Sequence, residues 1–427
     1  MAAAPVPNPA TPQADALDGE PAETAAIRAP WGQLVIMFGY ALVNWSIGNG
    51  LLPLLPKIAA RLGADPVTVG IYLAASYVAL ALGTVAAGFL ADRAGNRRSF
   101  MIAAMLIAAP LIALTSWATE VWELAVLTAS VWCLAGMALT LVTIRAGASA
   151  APGERGRILG FLALAAPLGS VVGGLGVGAL ADTVGYPTMW ILLGIVVLAC
   201  PLLAAGLHER PDSGRATRAP RPAVSMRWTV PFFLLIVCGV FAAFGSFVGG
   251  LGRTLAMEAA YSDTAITSTV AVSGVVALPF TILLGWMSDR VGRLPFIAAC
   301  YALGALGLLV YAAAASLAMF WIAASLVGFV SYVSTGVGSA LVVDLVDRPS
   351  LGRGLAYFGA TGWVGAILGF GLGGVGFATL GLADAFLVAA VVTAVAVLVV
   401  GAIGVTRRRL ASDRTPVRAD RPEVRKE

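Results

Sequence analysis

Gly88-Phe89-Leu90-Ala91-Asp92-Arg93-Ala94-Gly95-Asn96-Arg97-Arg98 returns 197 residues later as Gly285-Trp286-Met287-Ser288-Asp289-Arg290-Val291-Gly292-Arg293. Each copy joins two long apolar runs through a glycine, an acidic residue, a second glycine and a basic cluster. The correspondence extends beyond the loop. At an offset of 196, Gly156-Arg157 matches Gly352-Arg353, and Gly169 and Gly173 match Gly365 and Gly369. The chain therefore reads as two copies of one unit, joined by a polar segment that begins near His208.

The runs around the repeat identify the solvent. Of 427 residues 59% are hydrophobic and 11% charged, with a mean hydropathy of +0.91, whereas a soluble domain carries about 25% charged residues. A soluble enzyme is excluded on these figures. In lipid an open chain satisfies its backbone groups only as helices, each needing about 20 apolar residues to cross. Such runs lie at about 31–55, 67–90, 99–118, 122–147, 157–181, 187–207, 229–252, 265–287, 295–315, 318–345, 354–379 and 384–406. The expected fold is an all-α membrane protein with 12 transmembrane helices in two pseudo-symmetric six-helix bundles, 31–207 and 229–406. Residues 1–30 carry Asp15, Asp18, Glu20 and Glu23 before the first basic residue, Arg28, and read as a disordered cytoplasmic tail, not a signal peptide. Residues 208–228 read as a cytoplasmic linker and 407–427 as a basic cytoplasmic tail.

Basic residues set the orientation, because cytoplasmic connections collect Lys and Arg. With both termini cytoplasmic, the outward connections hold only Lys57, Arg61 and Arg253 of 27 basic residues. The same connections hold Asp65, Glu120, Glu123, Asp182, Glu258, Asp263 and Asp384. The net charge of +5 thus reports orientation in a bilayer, and no nucleic-acid partner is expected. Cys133, Cys200, Cys238 and Cys300 stand singly in apolar runs without metal-ligand spacing, and His208 is the only histidine. No enzyme activity, cofactor or metal is expected.

At these residues the sequence resembles the major facilitator superfamily from 31 to 406, through the G-x-L-A-D-R-x-G-R-[RK] loop after span 2 and its second copy after span 8. Within it, Gly50-Leu51-Leu52-Pro53-Leu54-Leu55-Pro56 and Val69-Gly70 look like the drug:proton antiporter branch. Two patterns of that branch depart here: Trp132 stands where R-x-x-Q-G has arginine, and Ser170 where G-P-x-x-G-G has proline. The resemblance implies that Asp92 docks near the start of span 11 (Arg353 to Tyr357) when the cytoplasmic side is closed. Gly95 supplies the turn, Arg93 and Arg97 hold partner carboxylates or phosphates, and Asp289, Arg290 and Arg293 act likewise at the start of span 5. These seven residues are the expected gate.

An ion-pair network is expected at the same end. Arg145 and Asp344 lie near the cytoplasmic ends of spans 4 and 10, where a charge needs a partner less urgently than at the bilayer centre. Glu154 or the Asp92 loop would serve Arg145, and Arg290, Arg293 or Arg353 would serve Asp344, with Arg157 nearby; a substrate-anion role for Arg145 is the rival reading. Mid-span positions supply Asn44, Trp45, Asn49, Tyr77, Trp132, Phe241, Phe244, Ser331, Tyr332, Ser334, Thr335 and Trp363, with no titratable acid or base among them except Tyr. Aromatic and neutral hydrogen-bonding groups suit an uncharged or amphiphilic small molecule. Ser331, Ser334/Thr335 and Ser339 recur at helical spacing and form either a polar cavity wall or interhelical hydrogen bonds. Ala165, Gly169 and Gly173, and Gly365, Gly369 and Gly373, form small-residue seams.

The function expected is secondary transport of a small organic molecule by alternating access, in the efflux direction. Import of a small metabolite, proton-coupled or facilitative, is the alternative, and a non-transporting membrane sensor a further one. The expected partners are a small-molecule substrate and the lipid bilayer, with protons as a candidate coupling ion. The expected setting is a monomer in a bacterial inner membrane.

Overall fold

The computed structural model describes residues 31–93, 97–149, 154–208, 228–347 and 350–412, so the expected first tail, most of the linker, the turn at Gly95 and the last tail beyond 412 lie outside the described residues, while residues 407–412 of the expected tail continue the last helix. The first half contains α1 (Trp31–Leu51), α2 (Leu55–Arg61), α3 (Pro66–Arg93), α4 (Arg97–Leu114), α5 (Val121–Ser149), α6 (Arg155–Ala163), α7 (Ala165–Val197) and α8 (Ala199–Ala205). The second contains α9 (Val230–Met257), α10 (Asp263–Val291), α11 (Arg293–Ala312), α12 (Leu317–Gly328), a π-helical turn (Phe329–Val333), α13 (Ser334–Leu345), α14 (Leu351–Leu380) and α15 (Leu382–Ser412). No strand occurs among the described residues.

Among the described residues, eleven helical stretches are long and apolar enough to cross a bilayer, and one of them, Arg157–Ala205, has 49 residues. At 1.5 Å per residue that length is more than twice the roughly 30 Å hydrocarbon core, so it holds two crossings. Gly185 separates them, at φ 75° and ψ 167°, a left-handed backbone region that favours glycine, and Pro187 follows. Twelve crossings result. Span starts carry side-chain caps: Thr229, Ser262 and Ser316 each accept the backbone N–H three residues on.

Two differences from the expected boundaries bear on the acidic face. Span 7, expected to stop at 252, continues to Met257, so Arg253 is not a connection residue but a helical one, 7% exposed. Lys57, expected in a connection, sits on α2 and is 8% exposed. Lys57 is covered where the two halves meet, and Arg253 lies against Tyr311 of its own half, contacts that the spacing of apolar runs does not reveal.

Glycines set the close contacts within each half. A Cβ on Gly169 would stand 2.6 Å from the Trp45 Cβ, and one on Gly369 2.7 Å from the Phe244 carbonyl oxygen. Thus α7 packs on α1, and at repeat-related positions α14 packs on α9. The halves meet along two further pairs, α3 with α14 and α7 with α10. Backbones nearly touch there: a Cβ on Gly70 would lie 2.9 Å from Gly374 Cα, and one on Gly178 2.7 Å from Thr264 Cα.

Candidate functional site

A cavity of about 340 Å³ opens at mid-depth in the first half. Asn44, Trp45 and Asn49 line it from α1, Tyr77 and Thr84 from α3, Trp132, Thr140 and Thr143 from α5, and Trp363 from α14 of the other half. None of the lining residues carries a charge. Of the ten residues expected to line a cavity, Asn44, Trp45, Asn49, Trp132 and Trp363 do so here. Phe241, Phe244, Ser331, Tyr332 and Thr335 do not border this space. Phe244 packs its backbone against the Gly365–Gly369 seam, and Phe241 packs on the core of the second half. Ser331 pairs its hydroxyl with Ser246 at 2.9 Å, and Thr335 donates to the Ser331 carbonyl.

Tyr77 is the centre of an aromatic cluster that crosses between the halves. Its ring centroid lies 5.0 Å from Trp132, 5.0 Å from Phe247, 5.3 Å from Phe370 and 6.2 Å from Trp363. Tilted and edge-on contacts of this kind add about 0.5–1.5 kcal/mol per pair beyond their buried area. The cluster joins α3 and α5 of one half to α9 and α14 of the other.

A polar chain crosses beside it. The Asn49 amide donates to Ser170 Oγ at 2.7 Å, and Ser170 Oγ lies 2.6 Å from the Tyr332 hydroxyl. Ser170 also donates to the Ala166 carbonyl at 3.0 Å. A serine has one hydrogen and two lone pairs, so Tyr332 is the donor that leaves every group satisfied. Tyr332 lies in the π-helical turn, whose extra residue turns Ser331 and Thr335 outward and leaves Ser334 buried, donating to Val330. Of the expected face of Ser331, Ser334/Thr335 and Ser339, the series Ser331, Thr335 and Ser339 stays out of the core and Ser334 alone is buried.

At the acidic face the halves are held by charge. Lys57 Nζ lies 2.7 Å from Asp263 Oδ1 and donates to the Tyr261 carbonyl at 3.2 Å. Asp263 is 5% exposed and also accepts the Tyr186 hydroxyl at 3.0 Å. Asp182 reaches across from the first half to accept the backbone N–H groups of Asp263 and Thr264, capping α10 at its positive end. Thr254 donates to the Pro53 carbonyl at 2.9 Å, and Arg61 stacks on Tyr186 at 4.6 Å. Just past α9, Glu258 is half-buried, and burial pushes its carboxyl above the ordinary range against the pull of Lys57.

The basic face holds the remaining expected residues. Arg293 bridges Asp344 at 3.1 Å and Asp289 at 3.4 Å, so the partner expected for Asp344 is brought to it. Arg290 stacks on Trp286 at 3.7 Å, and Arg157 faces Trp31 at 5.7 Å. Arg145 donates to the His208 carbonyl, a partner not expected for it, and His208 in turn meets Gln33. Glu154 precedes α6 without capping it, Arg353 lies exposed in the first turn of α14, and Arg97 opens α4. Asp92 and Arg93 end α3; their side chains, and Gly95, lie outside what is described.

Sequence reading missed Ser170, the threonines of the cavity and the Lys57–Asp263 pair. Ser170 was marked by its place in a pattern that otherwise has proline; the ion pair joins residues 206 positions apart and left no local sign.

Comparisons with known proteins agree with this architecture. The family model described as Major Facilitator Superfamily fits twice, over residues 34–257 and 233–426. No curated protein sequence matches the chain significantly. Among solved structures, the nucleoside transporter NupG superposes with a TM-score of 0.66 and 12% identity, over 87% of this chain and 99% of that one. A bacterial homologue of the human lysosomal transporter Spinster, inward-facing and unoccupied, superposes with a TM-score of 0.67 and 15% identity, over 90% and 98%. At these identities the likeness is one of fold.

Proposed function

The chain belongs to the Major Facilitator Superfamily and is a membrane transporter, and we propose that it carries a small, uncharged or amphiphilic organic molecule by alternating access, in the direction of efflux. The observation that carries this reading is an uncharged, aromatic cavity in the first half, bordered by Trp363 of the second, in a chain whose two repeated halves are latched together by charge on one face. Basic residues collect on the opposite face, which supports placing that face and both termini in the cytoplasm. In that orientation the state described is closed to the outside. The polar side chains Thr143, Ser331 and Thr335, exposed within their spans, fit a cleft that reaches the cytoplasmic side.

In the cycle, substrate enters between the halves and lodges against Trp132 and Trp363. The Asp182, Lys57 and Asp263 contacts then separate as the halves rock about the seam, and the gate residues Asp92 and Asp289 close the cytoplasmic side. Efflux rests on the antiporter-like stretch Gly50 to Pro56 and Val69-Gly70. No carboxylate lines the cavity, so any proton coupling runs through an end group such as Asp263 or Asp344, or through the substrate. Import is the second reading, favoured by the uncharged cavity, which a nucleoside-like metabolite would also suit.

Transport into right-side-out and inverted proteoliposomes under an imposed pH gradient separates these readings. Efflux predicts accumulation in inverted vesicles; accumulation confined to right-side-out vesicles assigns import. Indifference to the gradient in both makes the protein a facilitator.

A further inference from the structure

Building on the transporter reading, we propose that the cavity selects an uncharged molecule that supplies its own hydrogen-bond donors, at least two O–H or N–H groups, on a flat apolar body. Asn44 Nδ2 donates to the Tyr40 carbonyl at 3.0 Å and to Cys200 Sγ at 3.5 Å. Asn49 Nδ2 donates to the Ala166 carbonyl at 3.3 Å and to Ser170 Oγ at 2.7 Å. A backbone carbonyl only accepts, so each amide can be oriented in just one way, with its nitrogen toward the protein. Both Oδ1 atoms keep open lone pairs, and neither is among the buried unpaired atoms, so both face accessible space.

The hydroxyls follow the same rule. Thr84 donates to the Leu80 carbonyl at 3.1 Å, Thr140 to Gly136 at 2.8 Å and Thr143 to Leu139 at 2.8 Å. A hydroxyl has one hydrogen, and each is spent on its own helix. Five polar side chains thus present acceptor oxygens and nothing else. The donors on the wall are ring N–H groups of tryptophan and the Tyr77 hydroxyl, set at ring edges by packing. An anion meets these few neutral donors and no cation, against five acceptor oxygens, and a ligand with acceptors alone leaves those oxygens unpaired, which is the larger cost. The Trp132 and Trp363 rings, which line the cavity, supply apolar contact for a flat body.

The test is equilibrium binding to the purified protein, read as saturable quenching of tryptophan fluorescence, so it does not depend on transport. Resorcinol carries two donors; 1,3-difluorobenzene has nearly the same shape and none; benzoate is the anionic control. Resorcinol is expected to bind at least about tenfold more tightly than either. Asn49→Leu and the shape-preserving Thr140→Val should each weaken resorcinol several-fold and leave 1,3-difluorobenzene unchanged, with helix content as the check on folding. Equal binding of resorcinol and 1,3-difluorobenzene, tighter binding of benzoate, or no saturable resorcinol binding by a folded protein would each overturn the proposal. A protein that binds resorcinol as predicted but moves nothing across a membrane would instead refute the transport reading.

Discussion

Lys57 and Asp263 show how much one pair can decide. Both are more than nine-tenths buried, they belong to different halves, and they lie 2.7 Å apart. Removing one partner of such a pair costs about 3–5 kcal/mol, chiefly because the other charge is left in place without a counter-charge. That cost falls on the closed state alone, since opening this face returns the survivor to water. Lys57→Met and Asp263→Asn are therefore each expected to open the acidic face by more than about a hundredfold in population. Cysteine labelling at Thr254 would read the change, and the reversed pair Lys57→Asp with Asp263→Lys should recover much of the closure.

Glu258 adds a pH term at the same face. Its carboxyl is raised by burial in the closed state and would return to the ordinary range on exposure. The closed state then holds its proton more tightly, so this group favours closure as pH falls toward the ordinary carboxylate range, and that contribution is lost as pH rises through the raised value. Glu258→Gln should flatten the pH dependence of labelling relative to wild type. None of these contacts was legible from composition, where Lys57, Asp263 and Glu258 entered as charges at the outer ends of spans.

Among elements, the seams were readable before the structure because a repeat exposes them. Gly169 and Gly173 match Gly365 and Gly369 in register, and both pairs turn out to face the first span of their own half. The physical reason is that small residues at four-residue spacing have one use in an apolar helix, which is close approach. Gly369→Ala should cost about 1–3 kcal/mol by overpacking against the Phe244 backbone. Gly176, on α7 with open space around its Cα, is the control: Gly176→Ala should be silent in thermal unfolding, and equal losses at both sites would refute the seam.

The π-helical turn was not readable, because one extra residue in a ladder leaves no periodic trace in a run already apolar on every side. Its effect is to bring Tyr332 to Ser170. Tyr332→Phe removes that bond between the halves, worth about 0.5–1.5 kcal/mol, and should open the acidic face only a few-fold. A large effect would mean that the turn itself, not the hydroxyl, sets the contact.

At the scale of the molecule, twelve crossings and the twofold repeat follow from apolar run length and from one loop seen twice. The asymmetry does not. The cavity belongs almost wholly to the first half, with Trp363 the one contribution from the second, although the repeat would place equivalent residues on both sides. Equivalent backbone positions carry different side chains: at an offset of 197 Phe241 stands for Asn44, Ser246 for Asn49 and Phe329 for Trp132, so neither the amides nor the indole is repeated. Repeats transmit helix packing faithfully and site chemistry hardly at all.

The central claim is that the two halves alternate about this seam. Spin labels at Glu120→Cys and Ala260→Cys, one in each half on the acidic face, report it by pulsed electron resonance in liposomes, with the four native cysteines replaced. The account predicts two distances: a short one matching the latched face, dominant in wild type, and a longer one that becomes dominant when Asp263→Asn is added. A single distance, unchanged by that substitution in a folded protein, would contradict it.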